Sequence, residues 1–263
     1  MTLLDARART GFVVRINPVA KLGASALIAL PLVLTLDIVS AAVALVLECL
    51  LFPFAGLAWR EFWARTWPVW VAAPLTAVTI ALYGETSGEV YVDWFLVQVS
   101  EGSLELAVAT MLRVLAIALP SVVLFVTVDP TDLADGLAQI VHLPARFVLG
   151  ALAGLRMIGL FLDDWRALEL ARRARGVADR GRLRRFLGMA FALLVLSIRR
   201  GAKLATAMEA RGFGAPVART WARESRFGWP EWALLAIGLG IALTAVAAAV
   251  LAGTWNFILG PGA

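Results

Sequence analysis

Residues 186–212 read FLGMAFALLVLSIRRGAKLATAMEARG, and the fold turns on what this segment is. Its front, Phe186–Ile198, is an apolar run of 13 residues between Arg184-Arg185 and Arg199-Arg200, with Lys203 just beyond. A helix needs about 20 apolar residues to cross a bilayer. The run is therefore too short to span and too greasy for water, and it reads as a buried, re-entrant or interfacial helix. Its rear half turns polar and stops at Ala210-Arg211-Gly212.

The segment before it follows the same scheme. A helical pattern runs without proline from Ala145 to Arg175, about 45 Å at 1.5 Å per residue. Its front, Phe147–Leu162, is apolar and holds Gly150 and Gly154 at a spacing that permits close helix crossing. Its back sets Asp163, Asp164 and Glu169 ahead of Arg172, Arg173 and Arg175, an order that matches the helix dipole. Gly176 then stands where a C′ glycine ends a helix. Both helices begin apolar, become polar and close on Ala-Arg-Gly. The bare tripeptide is close to what chance supplies in a chain this rich in alanine, arginine and glycine; its placement carries the meaning. A terminal arginine projects a planar five-donor fork suited to carboxylates and carbonyls. Alanine adds no bulk, and glycine lets a partner backbone approach. Ala174, Arg175 and Gly176, with Ala210, Arg211 and Gly212, are the candidate docking residues.

Composition gives the setting. The chain is 61% hydrophobic and 16% charged, with a mean hydropathy of +0.83, against about 45–50% apolar and 25% charged in soluble domains. This is an all-α integral membrane protein. Five stretches read as spans: Leu22–Leu36, Ile38–Ala58, Trp67–Tyr83, Leu104–Val128 and Trp232–Ala252. Asp37 marks a tight turn making the first two a helical hairpin, and Lys21 can snorkel beside the first. Arg7, Arg9, Arg15 and Lys21 precede the first span, and Arg60 and Arg65 follow the second. Glu85, Glu89, Asp93, Glu101 and Glu105 lie between the third and fourth spans with no Lys or Arg among them. Of 24 basic residues, 17 fall between Arg146 and Arg226. The positive-inside rule then sets the N-terminus in the cytoplasm, the acidic loop outside and the C-terminus outside. The expected organisation is membrane helices over 1–128, a cytoplasmic-side helical region of two or three helices over 129–228, and a last membrane helix over 229–263. Asp129-Pro130 opens that middle region with helix-start chemistry, and a short helix Thr131–Val141 precedes Pro144.

The same residues weigh against other chemistries. The net charge of +5 invites nucleic acid, but the basic residues are interleaved with apolar helix at the membrane surface, as topology requires. The lone Cys49 and lone His142 build neither a disulfide nor a metal cluster. Asp163-Asp164 lacks a second acidic cluster and reads as solvated helix-face charge. No Walker lysine motif is present, so ATP hydrolysis would belong to partners. Arg113 lies inside the fourth span and reads as a structural pair with a protein group.

The ordered set of INPVAKLGASAL (Ile16–Leu27), DPTDLADGLAQIVHLP (Asp129–Pro144), LRMIGLFLDDWRALELARRARG (Leu155–Gly176) and AMEARGFG (Ala207–Gly214) resembles the transmembrane T component (EcfT family) of energy-coupling factor (ECF) vitamin and metal transporters. The resemblance implies a scaffold without catalytic residues or cofactor, joining two ABC-type ATPase subunits to a small membrane substrate-binding S component. Ala174, Arg175 and Gly176 would dock one ATPase, and Ala210, Arg211 and Gly212 the other. Phe147–Leu162 and Phe186–Ile198 would meet the S component, which would select the cargo: biotin, cobalt, a thiamine precursor or another vitamin. Two alternatives stay open. A conventional ABC permease would carry a Glu-Ala-Ala loop, of which only Glu209-Ala210 is present. A membrane-embedded lipid-modifying enzyme would use the acidic pair.

Overall fold

The computed structural model describes residues 12–84, 87–94, 97–176, 181–215 and 220–256. Arg7, Arg9, Glu85, Arg180 and Arg219 lie outside them. The chain divides into a first unit, Met1–Gly136 with Ser225–Ala263, and a second, Leu137–Glu224.

The first unit opens with α1 (Phe12–Arg15), α2 (Pro18–Leu34) and α3 (Ile38–Leu51), the last running into a 3-10 turn at Phe52–Ala55. Asn17 caps α2 by accepting the Val19 N–H at 3.0 Å, and Pro18 takes the first helical position, where no N–H is needed. The same Asn17 donates to Ser225 Oγ at 2.8 Å and to the Arg226 carbonyl at 3.1 Å. Its backbone N–H donates to Glu231 Oε1 at 3.0 Å. These bonds fasten the start of α2 to the start of α9 (Trp229–Leu251).

Asp37 caps α3, accepting the Ser40 N–H at 2.7 Å and the Ser40 hydroxyl at 2.6 Å. The corner expected at Asp37 is present, but α2 and α3 share little contact and do not pair as a hairpin. Each packs on α5 (Glu101–Phe125) and α9 instead. Small residues explain the preference, since they let helix backbones approach closely. A Cβ added at Gly238 of α9 would lie 3.1 Å from the Ala24 carbonyl oxygen of α2. The resulting core joins Ile28, Leu32, Ala44, Ala116, Ile241 and Ala245 from all four helices.

Arg113 on α5 donates to the Thr35 carbonyl, satisfying a backbone acceptor at the end of α2. Lys21 differs from expectation. It does not snorkel but is buried, with Nζ donating to Thr127 Oγ1 at 2.8 Å and to the Thr127 carbonyl at 3.3 Å. An ammonium at the edge of the membrane region finds its oxygens on a neighbouring helix end rather than in water.

The long α4 (Trp59–Tyr83) packs along α5, and Ala73, Leu115 and Leu119 form a second cluster there. Between them the acidic loop folds into an antiparallel hairpin, β1 (Val90–Trp94) and β2 (Val97–Ser100), with Val90 opposite Ser100 and a bulge near Val92. Strands were not anticipated from the acidic residues. The run Val90-Tyr91-Val92, β-branched and aromatic, supplies the local preference. Ser100 and Ser103 then form a reciprocal cap that starts α5.

Among the described residues, α4, α5, α9 and α7 (Ala145–Ala174) are long and apolar enough to cross a membrane, while α2 and α3 are shorter apolar helices. The protein is thus an all-α, multi-pass membrane protein. Two departures from the expected spans stand out. The third begins eight residues early, at Trp59 instead of Trp67, as part of a 25-residue helix that continues through Pro68 and Pro74. The second departure is α7, which has spanning length and composition although its apolar front alone does not.

The second unit holds α7 and α8 (Arg182–Ala210). The short helix before it, α6 (Pro130–Gln139), starts as expected, with Asp129 Oδ1 accepting the Thr131 N–H at 2.7 Å. His142 takes a left-handed φ of 59° in the turn that follows.

Candidate docking site at the ends of α7 and α8

The two Ala-Arg-Gly segments adopt the same local geometry. Ala174 is the last residue of α7, Arg175 the cap at φ −86°, ψ 1°, and Gly176 lies in the left-handed region at φ 66°. Ala210 ends α8, Arg211 caps it at φ −92°, ψ 13°, and Gly212 has φ 75°. In each case the glycine N–H closes the last turn: Gly176 onto the Arg173 carbonyl at 3.0 Å, Gly212 onto the Glu209 carbonyl at 2.9 Å. After Gly212, the Phe213 N–H also reaches back to the Met208 carbonyl at 2.9 Å. Those two bonds are the paired closures of a Schellman motif, with arginine as the last residue before the left-handed turn.

This motif has a directional consequence. A left-handed glycine turns the chain sharply away from the helix, so the preceding arginine stands at the blunt end of the rod rather than along its side. All six residues are exposed. Among the described residues, neither Arg175 nor Arg211 is engaged in an ion pair. Nothing lies within 4 Å of a Cβ added at Gly176 or Gly212. The left-handed backbone therefore explains the glycines, and steric crowding within the chain does not.

The rods are held together by their polar parts. Asp164 accepts from Arg200 Nη1 at 2.7 Å and Nη2 at 3.3 Å. Glu169 accepts from Arg185 at 2.5 Å and from Arg173, one turn on, at 2.8 Å. Trp165 meets Phe186 with ring centroids 5.7 Å apart. The absent side chain of Gly188 leaves room for the Arg172 guanidinium. Asp164 and Glu169 thus act between helices, a correction to the reading of the Asp163-Asp164 pair as solvated charge. Asp163 alone fits that reading, with only an exposed contact to Arg166 at 3.7 Å. The separations of 16 and 36 residues gave the linear sequence no signal of these pairs.

These contacts join the back of α7 both to the front of α8, at Arg185, Phe186 and Gly188, and to its rear, at Arg200; Arg175 and Arg211 cap two different rods. α8 has 29 residues, about 43 Å of helix.

The apolar fronts are uncovered except at Val148 and Met189. Phe147 is 65% exposed and Phe191 68%, and Leu155, Leu187, Leu194 and Ile198 are exposed as well. Nothing approaches within 4 Å of a Cβ added at Gly150 or Gly154. The close crossing expected at this glycine pair is not made within the described chain. Exposed apolar surface of this extent marks an interaction face or a lipid-facing one.

Comparison with known proteins adds the following. The family described as CbiQ, cobalt transport protein, matches residues 10–220. The chain is 28% identical over 191 residues to the energy-coupling factor transporter transmembrane protein EcfT of Limosilactobacillus fermentum, covering 68% of this chain and 71% of that protein. It is 27% identical over 201 residues to the protein of the same name from Brevibacillus brevis, covering 72% and 73%. It is 31% identical over 184 residues to EcfT 1 of Listeria monocytogenes, covering 65% and 68%. The matched region contains α7, α8 and both Ala-Arg-Gly ends.

Proposed function

The chain belongs to the CbiQ family of cobalt transport proteins and is a transmembrane component of an energy-coupling factor transporter, and from that premise we propose that it is the scaffold transmitting ATP-driven motion from two cytoplasmic ABC-type ATPases to a membrane S component that carries the micronutrient. Arg175 docks one ATPase and Arg211 the other, each with its flanking alanine and glycine. The observation that carries this reading is the repeated cap: two helices of one unit end in the same residues, in the same dihedrals, with an exposed arginine at each tip. One exposed arginine at the end of each of two helices suits two partner surfaces.

The physical work at each tip is charge-assisted hydrogen bonding. A guanidinium seated against a carboxylate or helix-end carbonyls contributes about 1.5–3 kcal/mol when water is excluded. A rigid helix presents it at little entropic cost. The apolar fronts of α7 and α8 form the cover for the S component, whose own apolar surface replaces lipid there. On this reading both tips and the N-terminus face the cytoplasm, in keeping with the clustering of basic residues. Cargo choice rests with the S component.

Reconstitution tests the proposal. With the ATPases and S component in proteoliposomes, wild type supports ATP-dependent uptake, and Arg175→Glu or Arg211→Glu abolishes it while leaving the purified chain folded. Full uptake by both variants would overturn the docking assignment.

A further inference from the structure

The first unit carries a half-open apolar groove of about 210 Å³ where α1, α2, α3, α5 and α9 meet. Ile28, Val123 and Leu124, all buried, form its floor. Its exposed lining residues mark the opening: Leu51 and Phe54 at and just past the end of α3, and Ile237 on α9. Glu48 also lines it, but its carboxyl oxygens are closed off and offer a ligand nothing. The wall on α9 runs from Ala233 to Ile241, about 12 Å at 1.5 Å per residue. Trp229 and Trp232, just before that wall, and Trp59 at the start of α4 are exposed. Tryptophan concentrates at the headgroup level of a bilayer. The groove therefore begins at that level and runs into the hydrocarbon.

Size and charge name the occupant. A cavity of about 150 Å³ holds one benzene, so this groove takes a single hydrocarbon chain. It is far too small for a helix about 10 Å across. Two arginines stand at its headgroup end. Arg15 lies between the lining residues Val13 and Ile16, and Arg60 lies in the first turn of α4, whose Phe62 packs on the cluster of Val13, Val123 and Leu124. Both arginines are exposed, and among the described residues neither is in an ion pair. The acids close by are taken: Glu231 accepts the N–H groups of Asn17 and Gly228, and Glu61 has a partner of its own. Lys21 is committed to Thr127. Two uncommitted guanidinium groups above a one-chain groove complement a phosphate carried on an acyl chain.

We propose that this groove holds one acyl chain of an anionic phospholipid, its phosphate against Arg15 and Arg60 and its hydrocarbon over Ile28, Val123 and Leu124. The test is native mass spectrometry of the full chain released from nanodiscs of phosphatidylglycerol and phosphatidylcholine with matched acyl chains. An arginine near an anionic headgroup favours it by about fivefold. Wild type therefore retains a single phosphatidylglycerol about tenfold or more over phosphatidylcholine. Arg15→Gln with Arg60→Gln brings the two lipids within about twofold of each other. Ile237→Trp, at an exposed rim position that tolerates bulk, lowers retention of both lipids by about tenfold; melting confirms the fold of each variant. A photoreactive acyl chain labels the peptides holding Leu51, Phe54 and Ile237. Equal retention of the two lipids by wild type, a preference that survives in the double arginine variant, or unchanged retention in Ile237→Trp would overturn the site. A dimer mass free of lipid would overturn it as well and assign the groove to a second copy of the chain.

Discussion

Replacing Gly212 by alanine asks whether the left-handed cap, and not arginine alone, makes the docking end. Gly212 has φ 75°, and a Cβ there would meet no atom within 4 Å, so the penalty is conformational. A left-handed backbone costs a non-glycine residue about 1–2 kcal/mol. Alanine returns part of this, since it lowers unfolded-chain entropy by about 0.4–1 kcal/mol. A net loss near 1 kcal/mol falls on the last turn, where the N–H groups of Arg211, residue 212 and Phe213 bond to Met208, Glu209 and Met208. Gly201→Ala is the internal control. Gly201 lies inside α8 with nothing within 4 Å of an added Cβ, and there the same exchange stabilises the helix by about 0.5–1 kcal/mol. Amide exchange by mass spectrometry reads both: the last turn of α8 exchanges about fivefold faster in Gly212→Ala and the middle of α8 more slowly in Gly201→Ala. ATPase affinity falls by a similar factor in Gly212→Ala only. Unchanged exchange at the last turn, or equal loss of affinity in both variants, would refute the link between cap and docking.

Further expectations follow from the same geometry. Asp164→Asn or Arg200→Met loosens α7 against α8 by about 0.5–1 kcal/mol, a value kept small because the pair is partly solvated; the charge swap Asp164→Arg with Arg200→Asp recovers part of it in a double-mutant cycle read by amide exchange. Gly238→Val drives a side chain onto the Ala24 carbonyl, 3.1 Å from the first added carbon, and lowers the melting temperature through an overpacking cost of about 1–3 kcal/mol. Arg113→Met strands the Thr35 carbonyl and costs about 1–3 kcal/mol, seen as a lower melting temperature with the chain still inserted in the membrane.

Features carried by local chemistry were legible in the sequence. The corner at Asp37, the cap at Asp129 and the C′ glycines at 176 and 212 all follow from residues within one turn of where they act. The membrane class followed from composition. Features that depend on distant partners were not legible. Lys21 looked like a snorkelling cation because nothing nearby announced Thr127, 106 residues away. Asp164 looked solvated because Arg200 is 36 residues on. Gly150 and Gly154 looked like a crossing point, yet the described chain leaves them open; small residues permit approach without naming the partner. The β-hairpin rests on the short run Val90-Tyr91-Val92, set among acids that read as loop. Glu48 is inconspicuous within an apolar run, and only the assembled helices show that its carboxyl is buried without a donor.

Docking of two separate ATPase surfaces by Arg175 and Arg211 is tested most directly by subunit stoichiometry. Native mass spectrometry of the complex extracted with its ATPases reads it for wild type, Arg175→Glu, Arg211→Glu and the double variant. Wild type carries two ATPase subunits, each single variant loses or loosens attachment at its own tip, and the double variant carries none. A double variant that still holds both ATPases would contradict the assignment of the two Ala-Arg-Gly ends.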